Sequence, residues 1–139
     1  MQDEVWKDIP GYEGFYQVSN FGRVKSLFMF RYNINKKIVE KIKREKILKQ
    51  HIHKSGYMIT SLSKERIRKQ FYTHRLVASV FIPNLLNKPY INHIDCNPQN
   101  NCVDNLEWCT QKENINYSWK LGRGKIPNNK GRVKKCRKV

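Results

Sequence analysis

Residues 92–114 read NHIDCNPQNNCVDNLEWCTQKEN, and their order of elements decides the fold. Pro89-Tyr90-Ile91 reads as a brief strand that delivers Asn92 and His93 to its end. From Asp95 to Asp104 the chain is a loop by composition, because Asn, Asp, Pro and Gln favour turns over ladders. Leu106-Glu107-Trp108-Cys109 alternates as a return strand with Leu106 and Trp108 on one face. Thr110 and Glu113 complete a capping box, so a helix starts at Thr110 and runs to about Leu121, where Gly122 supplies a left-handed terminator. Strand, loop, strand and helix make a ββα unit.

That unit brings distant residues together. Asn114 sits on the first full turn of the helix, where its side chain reaches back toward His93, and Asn105 precedes the return strand beside the same place. A histidine ringed by carboxamides is a poor hydrophobic core. It suits a hard divalent cation and a proton acceptor.

Upstream, HRLVASVFIPN places Leu76, Val77, Val80 and Phe81 on one face of a short helix that Pro83 ends. GFYQVSN and GRVKSLF form one expected hairpin around Asn20-Phe21-Gly22, and GYMITSL with IRKQFYT forms another around Lys64-Glu65. Between them, Arg31 to Lys54 is lysine-rich with loosely spaced apolar residues, open to either a long hairpin arm or a helix. The fold class is α+β: an N-terminal antiparallel β module (1–73), a ββα unit (74–121) and a basic, flexible tail (122–139).

The chain has 139 residues, with 28 Lys+Arg against 11 Asp+Glu and a formal charge of +17, a balance that asks for a polyanionic partner. No apolar run reaches the length of a spanning helix and the N-terminus is acidic, so the chain reads as intracellular, with no membrane partner. From Lys120 onward there are nine Lys/Arg and no acid. Lys120, Arg123, Lys125, Lys130, Arg132, Lys134 and Lys135 are the candidate DNA-binding residues, since one-sign charge spaced by glycine lies readily along phosphates. Cys96, Cys102, Cys109 and Cys136 are separated by 5, 6 and 26 residues and form no C-x-x-C knuckle, which favours reduced packing thiols over zinc. His51, His53 and His74 read as structural, and Trp6, Trp108 and Trp119 as packing residues.

His93, eleven residues, Asn105, eight residues, Asn114, set in NHID, NN, NLEWCT and EN, resembles the HNH motif of phage and intron-encoded homing endonucleases. EVWKDIPGYEGFYQVSNFGRVKSL is similar to the nuclease-associated modular segment that often precedes it, and HRLVASVFIPN to the segment leading into the motif. Together they span roughly residues 4 to 121. The resemblance implies a ββα-metal (His-Me finger) nuclease that hydrolyses double-stranded DNA to 5′-phosphate and 3′-hydroxyl ends. It makes His93 the general base and Asn105 the residue that holds the histidine loop, and it makes Asn92 and Asn114 ligands of one Mg²⁺ or Mn²⁺.

Many enzymes of the HNH family that the motif resembles have Asp or His immediately before the base, where this chain has Asn92, and a neutral carboxamide is the weaker ligand. Asp95 is the alternative ligand, although its residue type more often braces loops. The expected setting is the cytoplasm of a bacterial host, with the gene on a phage or mobile element, and the oligomeric state is open with a monomer favoured over larger assemblies. A catalytically weak or inactive HNH-fold DNA-binding protein is the second reading. An RNA-binding protein of the ribosome fits the charge but explains neither the capped helix nor the His/Asn spacing.

Overall fold

The computed structural model describes residues 2–122. Strand β1 (Trp6–Asp8) pairs antiparallel with β2 (Tyr16–Ser19), which pairs with β3 (Val24–Ser26). The β2–β3 turn is the expected Asn20-Phe21-Gly22. Gly22 takes φ +80°, and a Cβ there would stand 2.8 Å from Asn101 Cβ, so both backbone and space demand glycine.

Strands β4 (Met29–Asn33) and β5 (Ile38–Lys43) form a two-stranded hairpin. This settles the open reading of 31–54 in favour of an arm. The reason lies in exposure: Phe30 (62%), Ile34 (77%) and Val39 (65%) face solvent, so no single apolar face exists to impose a period. Short strand β6 (Lys46–Ile47) then closes the first sheet against β3. Strands β7 (His51–Ile52), β8 (Met58–Lys64) and β9 (Ile67–Tyr72) make an antiparallel three-stranded sheet, with β8–β9 the second expected hairpin.

Helix α1 (Thr73–Phe81) follows directly, and its Leu76, Val77 and Ala78 are buried. Strands β10 (Tyr90–His93) and β11 (Leu106–Cys109) pair antiparallel, and helix α2 (Gln111–Lys120) completes the ββα unit. Thr110 Oγ1 accepts from the Glu113 N–H while Glu113 Oε2 accepts from the Thr110 N–H, the expected capping box. Gly122 sits at φ +68° just past the helix.

One buried cluster joins the strands of the N-terminal module to the ββα unit: Val18, Val24 and Leu62 meet Val77, Ala78, Ile91 and Leu106. The β2–β3 turn reaches the same place, since Val103 N–H donates to Asn20 O at 2.8 Å. Trp108 is partly buried against this core and donates from Nε1 to Ile82 O at 3.0 Å. Trp119 departs from the packing role expected of it: no residue of α2 is buried, and Trp119 is 53% exposed. Cys102 and Cys109 are free thiols as expected, whereas Cys96 is disulfide-bonded. Among the described residues no helix is long and apolar enough to cross a membrane.

Candidate active site

His93 ends β10 with 6% of its surface exposed. Its Nε2 meets Asn101 Oδ1 at 2.9 Å. A carboxamide oxygen only accepts, so Nε2 carries the proton and Nδ1 keeps the lone pair. Burial lowers the His93 pKa below its usual value, against smaller upward pulls from the Asn101 hydrogen bond and the Asp95 charge. The imidazole is therefore neutral at physiological pH and able to take a proton.

Asn101 is the partner of His93 that the sequence did not single out, because by composition it belongs only to the turn. It is 4% exposed and wedged against Gly22. Gln50 extends the contact outward, donating to Gly22 O at 2.7 Å and accepting from Thr73 Oγ1 at 3.0 Å. The N-terminal module thus presses on the residue that holds the histidine.

Asn105 acts on the loop rather than on the imidazole. Its Oδ1 accepts from the Asp95 N–H, and its Nδ2 donates to Asp95 Oδ1 and Asn100 O, all at 2.8–2.9 Å. Asp95 in turn accepts from the Asn97 N–H and from Asn100 Nδ2. Burial works to raise the Asp95 pKa, but those donors outweigh it and hold the carboxyl below its ordinary range. Its oxygens are committed to the loop, the bracing role its residue type suggested.

Asn92 and Asn114 line a cleft of about 370 Å³ together with His93, Ser55, Tyr57 and Tyr117. Asn92 Nδ2 donates to Glu107 Oε1 at 2.8 Å, which leaves its Oδ1 uncommitted. The Asn114 side chain makes no hydrogen bond to the described residues. Tyr117 Oη donates to Ile94 O at 2.6 Å and keeps α2 against the histidine strand. Oxygen donors from Asn92 and Asn114 fit a hard divalent cation. Among the described residues no cluster of three or more His, Cys, Asp or Glu side chains offers a metal a fully charged cage.

His74, at the start of α1, lies beside the site with its ring 5.2 Å from that of His93 and 4.8 Å from that of Tyr57. Burial, then the nearby His93 and Arg75 charges, push its pKa down to about 4. Its Nδ1 is buried without a hydrogen-bond partner among the described residues. His51 is exposed, and His53 Nδ1 meets Ser55 Oγ at 2.7 Å. Lys120 is exposed at the end of α2, while Arg123, Lys125, Lys130, Arg132, Lys134 and Lys135 lie outside the described residues.

A histidine closing the first strand of a ββα unit, with an asparagine on the helix facing it, defines the HNH class of nuclease domain. Residues 71–115 match the HNH endonuclease family, and residues 4–63 match the NUMOD4 motif. The chain carries an HNH endonuclease domain behind a NUMOD4 motif.

Among its relatives is the DNA endonuclease I-HmuI of Bacillus phage SP01, 41% identical over 117 residues, covering 84% of this chain and 59% of that one. An uncharacterized HNH endonuclease of Acanthamoeba polyphaga mimivirus is 51% identical over 70 residues, covering 50% of this chain and 21% of that one. A solved structure describing DNA binding and cleavage by the HNH homing endonuclease I-HmuI superposes with a TM-score of 0.69 at 38% identity, covering 88% of this chain and 62% of that one. The chain spans less than two thirds of the length of these relatives.

Proposed function

We propose that this protein is a metal-dependent endonuclease of double-stranded DNA, encoded by a phage or other mobile element and acting in the host cytoplasm. One observation carries the reading: His93 has its Nε2 committed to Asn101 and shares a cleft with the uncommitted oxygen of Asn92 and the carboxamide of Asn114. In this reading His93 Nδ1 takes a proton from the attacking water, and Asn101 stabilises the imidazolium that results by holding its Nε2–H. Asn105 fixes the loop that presents both residues. Asn92 and Asn114 hold one Mg²⁺ or Mn²⁺, which when bound neutralises charge on the scissile phosphate and the leaving 3′ oxygen. The products carry 5′-phosphate and 3′-hydroxyl ends.

DNA is gripped by more than the ββα unit, which alone offers too little surface for specific binding. The β4–β5 arm supports this reading, because exposed Phe30 and Tyr32 stand among lysines, with Lys41 Nζ 4.1 Å from the Phe28 ring centroid. The basic residues from Lys120 to Lys135 add phosphate contacts.

Incubating supercoiled plasmid with the purified protein and millimolar Mg²⁺ or Mn²⁺ tests the activity. Nicked or linear product that disappears in His93→Ala supports it, and intact plasmid under both metals refutes it. A catalytically silent HNH-fold DNA binder is the second reading, favoured by the neutrality of both cleft donors. Wild type that binds DNA and never cuts it selects that reading.

A further inference from the structure

Asn92 and Glu107 stand directly opposite each other in the β10–β11 ladder, and Asn92 Nδ2 donates to Glu107 Oε1 at 2.8 Å. The two ends of a carboxamide are unlike: the nitrogen only donates and the oxygen only accepts. An ionised carboxylate only accepts, so it binds the nitrogen end and turns the oxygen away from itself. We propose that Glu107 is a positioning residue that orients Asn92 so that Oδ1 faces the divalent cation. This inference rests on the reading of Asn92 and Asn114 as the metal donors.

Two physical effects follow from the pair. The first is geometric. Asn92 is 8% exposed and its Nδ2 is anchored, so the oxygen is pre-set before metal arrives and no rotamer freedom is lost on binding. The second is electronic. A charge-assisted hydrogen bond to the amide N–H draws electron density onto the carbonyl oxygen, which makes a neutral ligand a stronger donor. Glu107 thereby lends negative charge to a site whose donors carry none, without touching the metal.

The pair also accounts for the residue at position 92. An aspartate there would set like charges directly opposite each other on one face of the ladder, a destabilising arrangement. Asparagine next to glutamate avoids that repulsion and keeps an oxygen for the cation. The charge that a carboxamide at position 92 lacks is carried by the acid opposite it on the neighbouring strand.

The test is Mn²⁺ affinity of the full chain, read from the loss of the free-ion electron paramagnetic resonance signal, with thermal unfolding followed in parallel. Glu107→Ala is expected to weaken Mn²⁺ binding about tenfold, the usual scale for losing a residue that supports a metal ligand. Glu107→Gln retains an accepting oxygen and is expected to lie between wild type and Glu107→Ala.

The decisive comparison is the double variant. Because Glu107 acts through Asn92, adding Glu107→Ala to Asn92→Ala is expected to weaken binding no further than Asn92→Ala alone. Additive losses overturn the proposal in favour of a direct or purely electrostatic role. Unchanged affinity in Glu107→Ala, alongside weakened binding in Asn92→Ala and Asn114→Ala, overturns it while leaving the metal site standing. Unchanged affinity in Asn92→Ala and Asn114→Ala removes the metal site itself, and the proposal with it.

Discussion

In the proposed mechanism the role of His93 depends on which nitrogen holds the proton, and Asn101 sets that through its contact with Nε2. Replacing Asn101 by Asp keeps an acceptor for Nε2–H and adds a negative charge 2.9 Å away, which favours the imidazolium and raises the His93 pKa. The proton acceptor then becomes available only at higher pH, so the acid limb of the pH–rate profile is expected to move upward in Asn101→Asp. Asn101→Leu removes the acceptor, leaves a buried N–H unpaired and is expected to lower cleavage at all pH values by about tenfold or more. Plasmid cleavage rates between mildly acidic and mildly basic pH check both outcomes. A single limb at the same pH in wild type and Asn101→Asp would show that His93 is not the titrating group.

Sequence alone could not single out Asn101. Asn97, Asn100, Asn101 and Asn105 share one composition and one loop, and only the fold turns Asn101 and Asn105 inward while Asn97 stays exposed. His93, Asn105 and Asn114 were legible because their spacing belongs to a motif with an ordered context. Glu107 left no such trace, since its partner lies 15 residues back across a strand pair.

At the scale of elements, α2 is the weakly held part of the ββα unit. It buries no residue, and its ties are the capping box, the Tyr117–Ile94 hydrogen bond and the Lys88–Glu113 ion pair at 3.0 Å. Thr110→Ala removes the cap and is expected to destabilise the helix by about 1 kcal/mol. Because Asn114 rides on that helix, local fraying costs the cleft a donor. Amide exchange in 111–120 should rise in Thr110→Ala well before the global unfolding midpoint moves. Equal protection in variant and wild type would mean that Tyr117 and Lys88 suffice to hold α2.

The capping box was readable because it is local, a threonine and a glutamate three residues apart. The β4–β5 arm was not, because its apolar side chains are exposed and follow neither a strand nor a helix period. Gly22 belongs to the same scale. Its place in a turn was legible, but its approach to Asn101, far along the chain in the histidine loop, is a product of the shared core. Gly22→Ala is expected to push Asn101 off His93 and to lower cleavage while leaving most DNA affinity in place, as measured by plasmid nicking against filter binding.

For the whole molecule, a formal charge of +17 makes binding to any DNA steeply dependent on salt. Neutralising about six to ten phosphates gives a log–log slope of about −5 to −9, and removing residues 123–139 should flatten it for all sequences alike. Net charge was the most legible property of the chain, whereas the pH dependence of its stability runs through two buried histidines that the fold alone brings together. His74 and His93 pack ring to ring and both are held below the ordinary histidine pKa.

A histidine with a lowered pKa binds fewer protons in the folded chain than in the unfolded one. Its burial therefore costs nothing above about pH 6.5 and becomes destabilising as the pH falls toward about 4. For His74, a shift from 6.5 to about 4 corresponds to on the order of 3 kcal/mol lost across that window. Urea midpoints are expected to fall between neutral pH and about pH 4. In His74→Phe the fall should be shallower, because one of the groups that take up a proton on unfolding is gone. Parallel curves for wild type and variant would mean that His74 titrates alike in both states and that the acid sensitivity resides elsewhere.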